Sequence, residues 1–107
     1  MQAIVKKEGM IKGIIGYKVL GYASVEPILM QLRSYAAQYP GFVDAEFLVS
    51  EGDQSVGVMI STWDTMENWR TWAGSKGTLA LLQRARTAVT GTPRITAYRI
   101  MPTVEWR

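Results

Sequence analysis

Residues 61–75 read Ser-Thr-Trp-Asp-Thr-Met-Glu-Asn-Trp-Arg-Thr-Trp-Ala-Gly-Ser and hold Trp63, Trp69 and Trp72, three of the chain's four tryptophans. An indole offers a large flat apolar surface and one N–H donor. Three of them near one junction make either a wide aromatic core or the wall of a pocket for a flat ligand. Trp69 and Trp72 are three apart and share a helix face. Asn68 falls in the first turn of that helix, where a polar side chain is either solvated or a donor to a ligand. Further on, Arg86 interrupts an apolar stripe of Leu79, Leu82 and Val89. Such an arginine either runs its guanidinium out to water or neutralises an anion inside a pocket. Tyr17 and Tyr98 are strand aromatics; cross-strand packing accounts for them, and their phenols remain donors.

Much chemistry is excluded by composition. The chain of 107 residues has no cysteine and no histidine. Disulfides, thiolate metal sites and cysteine nucleophiles are ruled out, as are a Ser-His-Asp triad and a histidine on haem iron. No metal site and no cofactor is expected. The net charge of +3 comes from cations spread along the chain, with Lys6-Lys7 the densest run. Nucleic-acid binding calls for a concentrated basic face, so no such partner is expected. No stretch approaches the roughly 20 apolar residues that cross a bilayer. The first residues lack the apolar core of a secretory signal, which makes the cytoplasm the expected location.

These residues need a scaffold. Residues 1–9 read as an extension, 10–102 as one domain and 103–107 as a tail. A strand is expected over 10–20, with Gly13 and Gly16 marking a bulge or a close approach. Ser24 can cap a helix carrying Ile28, Leu32, Tyr35 and Tyr39 on one face, with Pro27 in its first turn and Pro40-Gly41 ending it. Over 42–50, Val43, Ala45, Phe47 and Val49 alternate with Asp44 and Glu46, a half-buried strand. Residues 51–54 supply hairpin-turn chemistry. The return strand at 55–63 sets Val56, Val58 and Ile60 against Met59 and Trp63. Asp64 and Glu67 have the spacing of a capping box for the next helix. Gly74 and Gly77 interrupt that helix, and Ser75 can cap a second segment. The last strand covers 94–101. The order βαββαβ is that of an α+β, ferredoxin-like domain, one antiparallel sheet with its helices on one face. The other face carries apolar residues, and pairing with a second copy would cover it.

With these elements in place the chain resembles the antibiotic biosynthesis monooxygenase family, the dimeric α+β barrels. The resemblance rests on Tyr39-Pro40-Gly41-Phe42, Ser61-Thr62-Trp63, Trp69 with Trp72 and Ser75, and the run 94–100. It spans nearly the whole chain. It implies a homodimer and a choice among three styles: cofactor-free oxygenation of phenols or anthrones, haem degradation, or no catalysis. Haem degraders of this kind resemble one another in a strand-one Asn, a helical Trp and a later His. Trp72 matches the Trp, Leu82 stands where the His would fall, and the first strand has no Asn. Oxygenation without a cofactor needs a substrate anion that can react with O2, flat apolar walls, a hydrogen-bond donor and a positive charge.

The resemblance therefore implies Trp72, Arg86 and Asn68 as catalytic residues. Trp69, Tyr17, Tyr98 and Leu82 would bind a small aromatic, polyketide- or quinol-type substrate. The alternatives are a non-catalytic binder of the same fold and an atypical haem protein. Trp72 and Arg86 are expected to border one cavity between the second helical region and the sheet. A Trp72 sealed in the core and an Arg86 in solvent would move weight toward binding or a purely structural role.

Overall fold

The computed structural model describes residues 8–102. The tail expected at 103–107 and most of the extension expected at 1–9 lie outside the described residues. The order is β1 (Ile11–Lys18), α1 (Tyr22–Ala36), β2 (Phe42–Val49), β3 (Val56–Trp63), α2 (Met66–Ala73), α3 (Lys76–Ala85) and β4 (Arg94–Arg99). The strands form one antiparallel sheet in the order β2-β3-β1-β4, the ferredoxin-like arrangement expected.

The two-residue side-chain period divides the sheet into two faces. Ile11, Ile15 and Tyr17 of β1, Ala45 of β2, and Met59, Ser61 and Trp63 of β3 are buried beneath the helices. Against them α1 sets Val25, Ile28, Leu29, Leu32 and Ala36. On the far face the register aligns Leu48, Val58, Gly16 and Arg94 in one row and Glu46, Ile60, Ile14 and Thr96 in the next. A third row is Asp44, Thr62, Lys12 and Tyr98. Val56, Leu48 and Tyr98 are left exposed on that face.

Four local expectations are corrected. The cap of α1 is Gly21, with no side-chain bond, in place of Ser24. Pro27 consequently sits in the second turn, where its missing N–H leaves the Ala23 carbonyl without the usual partner. The helix ends at Ala36, before Pro40, and runs on as tighter turns in which the Gln38 and Tyr39 N–H groups bond Tyr35 and Ala36 carbonyls. Val43 does not join the inner face, because a register shift between Phe42 and Asp44 turns it outward. Finally, α3 buries Thr78 and Ala85, while Leu79 stays 52% exposed.

Candidate functional site

The tryptophan side comes first, because the sequence points there. Trp63 and Trp72 are sealed, at 0% and 1% exposure. Their rings stack with centroids 5.5 Å apart, and Phe42 meets Trp63 edge-on at 5.4 Å. The Trp63 indole N–H donates to Ser61 Oγ at 2.9 Å. The Trp72 N–H is buried with no acceptor among the described residues. Trp69 lies half-buried with its indole directly over Gly13, where any Cβ would collide with the ring. Gly13 therefore marks a close approach, and the β1 ladder runs through it without a bulge.

The polar residues of this stretch serve the helix ends. The cap of α2 is Thr65, whose side-chain oxygen accepts from the Asn68 N–H, so the Asp64–Glu67 capping box does not form. Asp64 lies one residue too early and instead accepts from the Asn68 amide at 2.8 Å. Gly41, at φ 84°, makes room for this pair: a Cβ there would strike both side chains. Asn68 is thus committed to local structure. Ser75 caps α3 as expected, accepting from the Thr78 N–H and donating to the Trp72 carbonyl. The neighbouring hydroxyls of Ser75 and then Tyr35, the latter 2.9 Å away, hold the Tyr39 phenol below its ordinary value.

Arg86 follows α3 as its C-terminal cap residue and is exposed. It borders an open groove of about 240 Å³ with Leu79, Leu82, Gln83, Thr92, Pro93 and Ile95. Leu82 and Arg86 are thus brought together as expected of one helix face. Trp72 is not part of that groove, so the shared Trp72–Arg86 cavity does not exist. The helix is turned so that Thr78 and Ala85 take the core positions, which rolls Leu79 and Arg86 outward. Tyr98 is also separated from the rest. It pairs with Lys12 on the far face of the sheet and is 59% exposed.

Tyr17 is the expected site residue that reaches an apolar cavity. It faces the helices near the end of β1 and lines a space of about 230 Å³ with Tyr22, Glu26, Leu29, Met30, Phe47 and Val49. The first three turns of α1 form one wall, and β1 and β2 form the other. Exposed Glu26, Met30 and Val49 stand at its mouth. Burial, aided by the neighbouring Tyr22, pushes the Tyr17 phenol up to about 12. It therefore stays protonated at neutral pH and acts as a donor. The Tyr22 hydroxyl is buried and has no hydrogen-bond partner among the described residues. An unpaired buried hydroxyl costs about 1–3 kcal/mol. Tyr22 escaped the sequence reading because it sits in the first turn of a helix assigned to start later. Its one sequence signal was an aromatic close after the Tyr17 strand.

Among the described residues no cluster of His, Cys, Asp or Glu could hold a metal ion. No described helix is long and apolar enough to cross a membrane. What the cavity can do is hold one flat apolar ring against the Tyr17, Tyr22 and Phe47 side chains, with the Glu26 carboxylate at its rim.

The antibiotic biosynthesis monooxygenase family model matches residues 23–85, and the chain belongs to that family. Solved structures agree on the fold. SnoaB, a cofactor-independent oxygenase from Streptomyces nogalater, is 20% identical with a TM-score of 0.76, over 90% of this chain and 97% of that one. A conserved protein from Methanosarcina mazei Go1 is 12% identical with a TM-score of 0.78, over 87% and 94%. Rv0793 from Mycobacterium tuberculosis is 10% identical with a TM-score of 0.75, over 90% and 99%. Among curated proteins no sequence matches the chain.

Proposed function

We propose that this protein is a cofactor-independent monooxygenase whose substrate is a small aromatic compound bound between α1 and the sheet. The observation that carries the reading is the apolar cavity with the Tyr17 and Tyr22 phenols in its lining. The similarity to SnoaB in fold supports the reaction class. In such a reaction the substrate loses a proton to become a phenolate-stabilised carbanion. The anion gives two electrons to O2, forming a C–O bond as a hydroperoxide. Loss of water then leaves a new carbonyl, so one O2 yields one product oxygen and one water. The residues' part is to hold the ring, keep water out and stabilise the anion. Glu26 at the mouth is the carboxylate placed to take the proton.

Oxygen-electrode measurements on a series of quinols and hydroxyaromatics test this. Chelator-insensitive uptake, one O2 per product, is expected. Uptake no faster than the spontaneous rate across the series would remove the oxygenase reading. A second reading, non-catalytic binding of the same ligand, is favoured by one observation: Trp72 is sealed and Arg86 is exposed, so the pair the family resemblance assigned to catalysis does not meet.

The working unit we propose is a homodimer joined through the far sheet face. That face has an acid on β2, Glu46, and bases on β1 and β4, Lys12, Lys18 and Arg94, while Asp44 pairs with Arg33 of α1 at 3.7 Å. A two-fold axis running along the strands sets β2 over the partner's β4 and so opposes the two charge types around an apolar centre. Light scattering near 24 kDa is the expected result, twice the 12.0 kDa chain.

A further inference from the structure

We propose that the β2 edge of the sheet is a surface for pairing with a second copy of the chain, held shut by a clasp of Arg33 from α1 and Asp44 from β2. The clasp stands apart from the proposed reaction, and a dimer joined through the far face leaves this edge unpaired.

The strand β2 lies at one edge of the sheet. An edge strand turns half of its backbone N–H and C=O groups away from its neighbour, where another strand can take them. The Ser50 N–H bonds the Val56 carbonyl, and the register then assigns the bonds to β3 to Leu48, Glu46 and Asp44. The outward groups therefore belong to Val43, Ala45, Phe47 and Val49. The strand is eight residues long, and Val43, Leu48 and Val49 are 52%, 44% and 49% exposed. A long edge with exposed apolar side chains is a template for self-association. The other edge, β4, has six residues and carries Arg94 and Arg99 at its ends.

The middle of the β2 edge is already occupied. The Ala45 N–H donates to Asp44 Oδ1 at 2.8 Å, and the Ala45 carbonyl accepts from Arg33 Nε at 3.4 Å. Arg33 comes from the helix side and Asp44 from the strand itself, and they meet at the edge with Nη2 and Oδ1 3.7 Å apart. An incoming strand would have to displace both from Ala45. Just before the clasp, the register shift between Phe42 and Asp44 breaks the line of outward groups at Val43. Glu46 adds a charge to the barrier. Two copies paired antiparallel along the strand set Val43 against the partner's Val49 and Ala45 against the partner's Phe47, so that Glu46 meets the partner's Glu46. Like charges directly opposite disfavour such pairing. The Arg33 and Asp44 side chains are 47% and 58% exposed, and an exposed ion pair adds little to stability. Exclusion of a strand is the role that their position on Ala45 gives them.

The test compares wild type with Arg33→Ala/Asp44→Ala, checked for an unchanged circular dichroism spectrum. Light scattering of wild type is expected to give one mass from micromolar to millimolar protein. The double variant is expected to give a mass that rises with concentration. Val49→Pro added to the double variant removes an outward N–H and no bond to β3, and is expected to restore the wild-type mass. In dilute protein the Ala45 amide is expected to exchange its hydrogen about tenfold faster in Asp44→Ala than in wild type. A folded double variant with the wild-type mass at every concentration overturns the proposal. So does association that survives Val49→Pro, because the contact then lies elsewhere. A wild-type mass that Val49→Pro lowers overturns it too, because the edge is then already paired. Should the double variant not fold, Ala45 exchange decides: an unchanged rate in Asp44→Ala removes the clasp.

Discussion

The two ends of the helical layer are built from the same residue types and do opposite things. Toward α2, Phe42, Trp63 and Trp72 close on one another until two indoles have essentially no exposure. Toward the start of α1, Tyr17, Tyr22 and Phe47 leave a gap of about 230 Å³ between them. The difference is in what the aromatics carry and what stands opposite them. Indole stacks on indole, and where a ring needs space a glycine provides it, as Gly13 does for Trp69. At the other end the Tyr22 hydroxyl has no partner among the described residues, and the side chains of α1 and β2 do not close the gap. Rings that close on one another mark the core here, and rings that leave a gap mark the site.

The comparison is broken most forcefully at Trp72. Trp72→Ala should lower stability by about 3–5 kcal/mol, read by urea or thermal unfolding, because a fully enclosed ring is removed. Trp72→Phe should fold and leave quinol-dependent O2 uptake unchanged, since the indole N–H has no acceptor to lose. Loss of uptake in a folded Trp72→Phe would return that residue to the site.

Next in size is Gly13→Ala, which pushes a methyl into the Trp69 ring and should cost about 1–3 kcal/mol by the same measurement. A neutral result would mean that the indole does not rest on β1.

A smaller effect lies on the cavity side and depends on pH. The Tyr17 phenol is raised from 10.0 to about 12 by burial and then by Tyr22. The unfolded chain therefore loses this proton first. Its contribution to stability is complete below pH 10 and is lost as pH rises from there through 12. Unfolding curves of wild type and Tyr17→Phe should run parallel below pH 10 and converge above it. Parallel curves throughout would place Tyr17 in water.

The smallest effect is expected at Arg86. Arg86→Leu should change stability by less than about 0.5 kcal/mol, because the side chain is exposed at the end of α3. A large loss would show that the groove beside it is part of the folded core.

Several features were legible in the residues alone. Period-two alternation located the strands, and the two sets of β3 side chains separated as read, the structure turning Met59 and Trp63 in and Val56, Val58 and Ile60 out. Ser75 was readable as a cap because its oxygen needs only the backbone N–H three residues on. The βαββαβ order followed from such local rules, which bind residues close in sequence, and the family from the resemblance carried by residues 39–42, 61–63 and 94–100. Helix rotation was not legible. Leu79, Leu82, Arg86 and Val89 form a credible stripe, but the core took Thr78 and Ala85 from α3 instead. That choice depends on how closely α3 can approach the sheet and α1, where small residues pack. The cavity was equally hidden, since Tyr17, Tyr22, Phe47 and Val49 come from three elements and meet only when β2 folds beside β3. Sequence determined the strands, the grouping of the β3 side chains and the α3 cap, because local periodicity and backbone hydrogen bonding specify them. Tertiary structure decided which aromatics are sealed and which line a space, because enclosure belongs to packing between elements far apart along the chain.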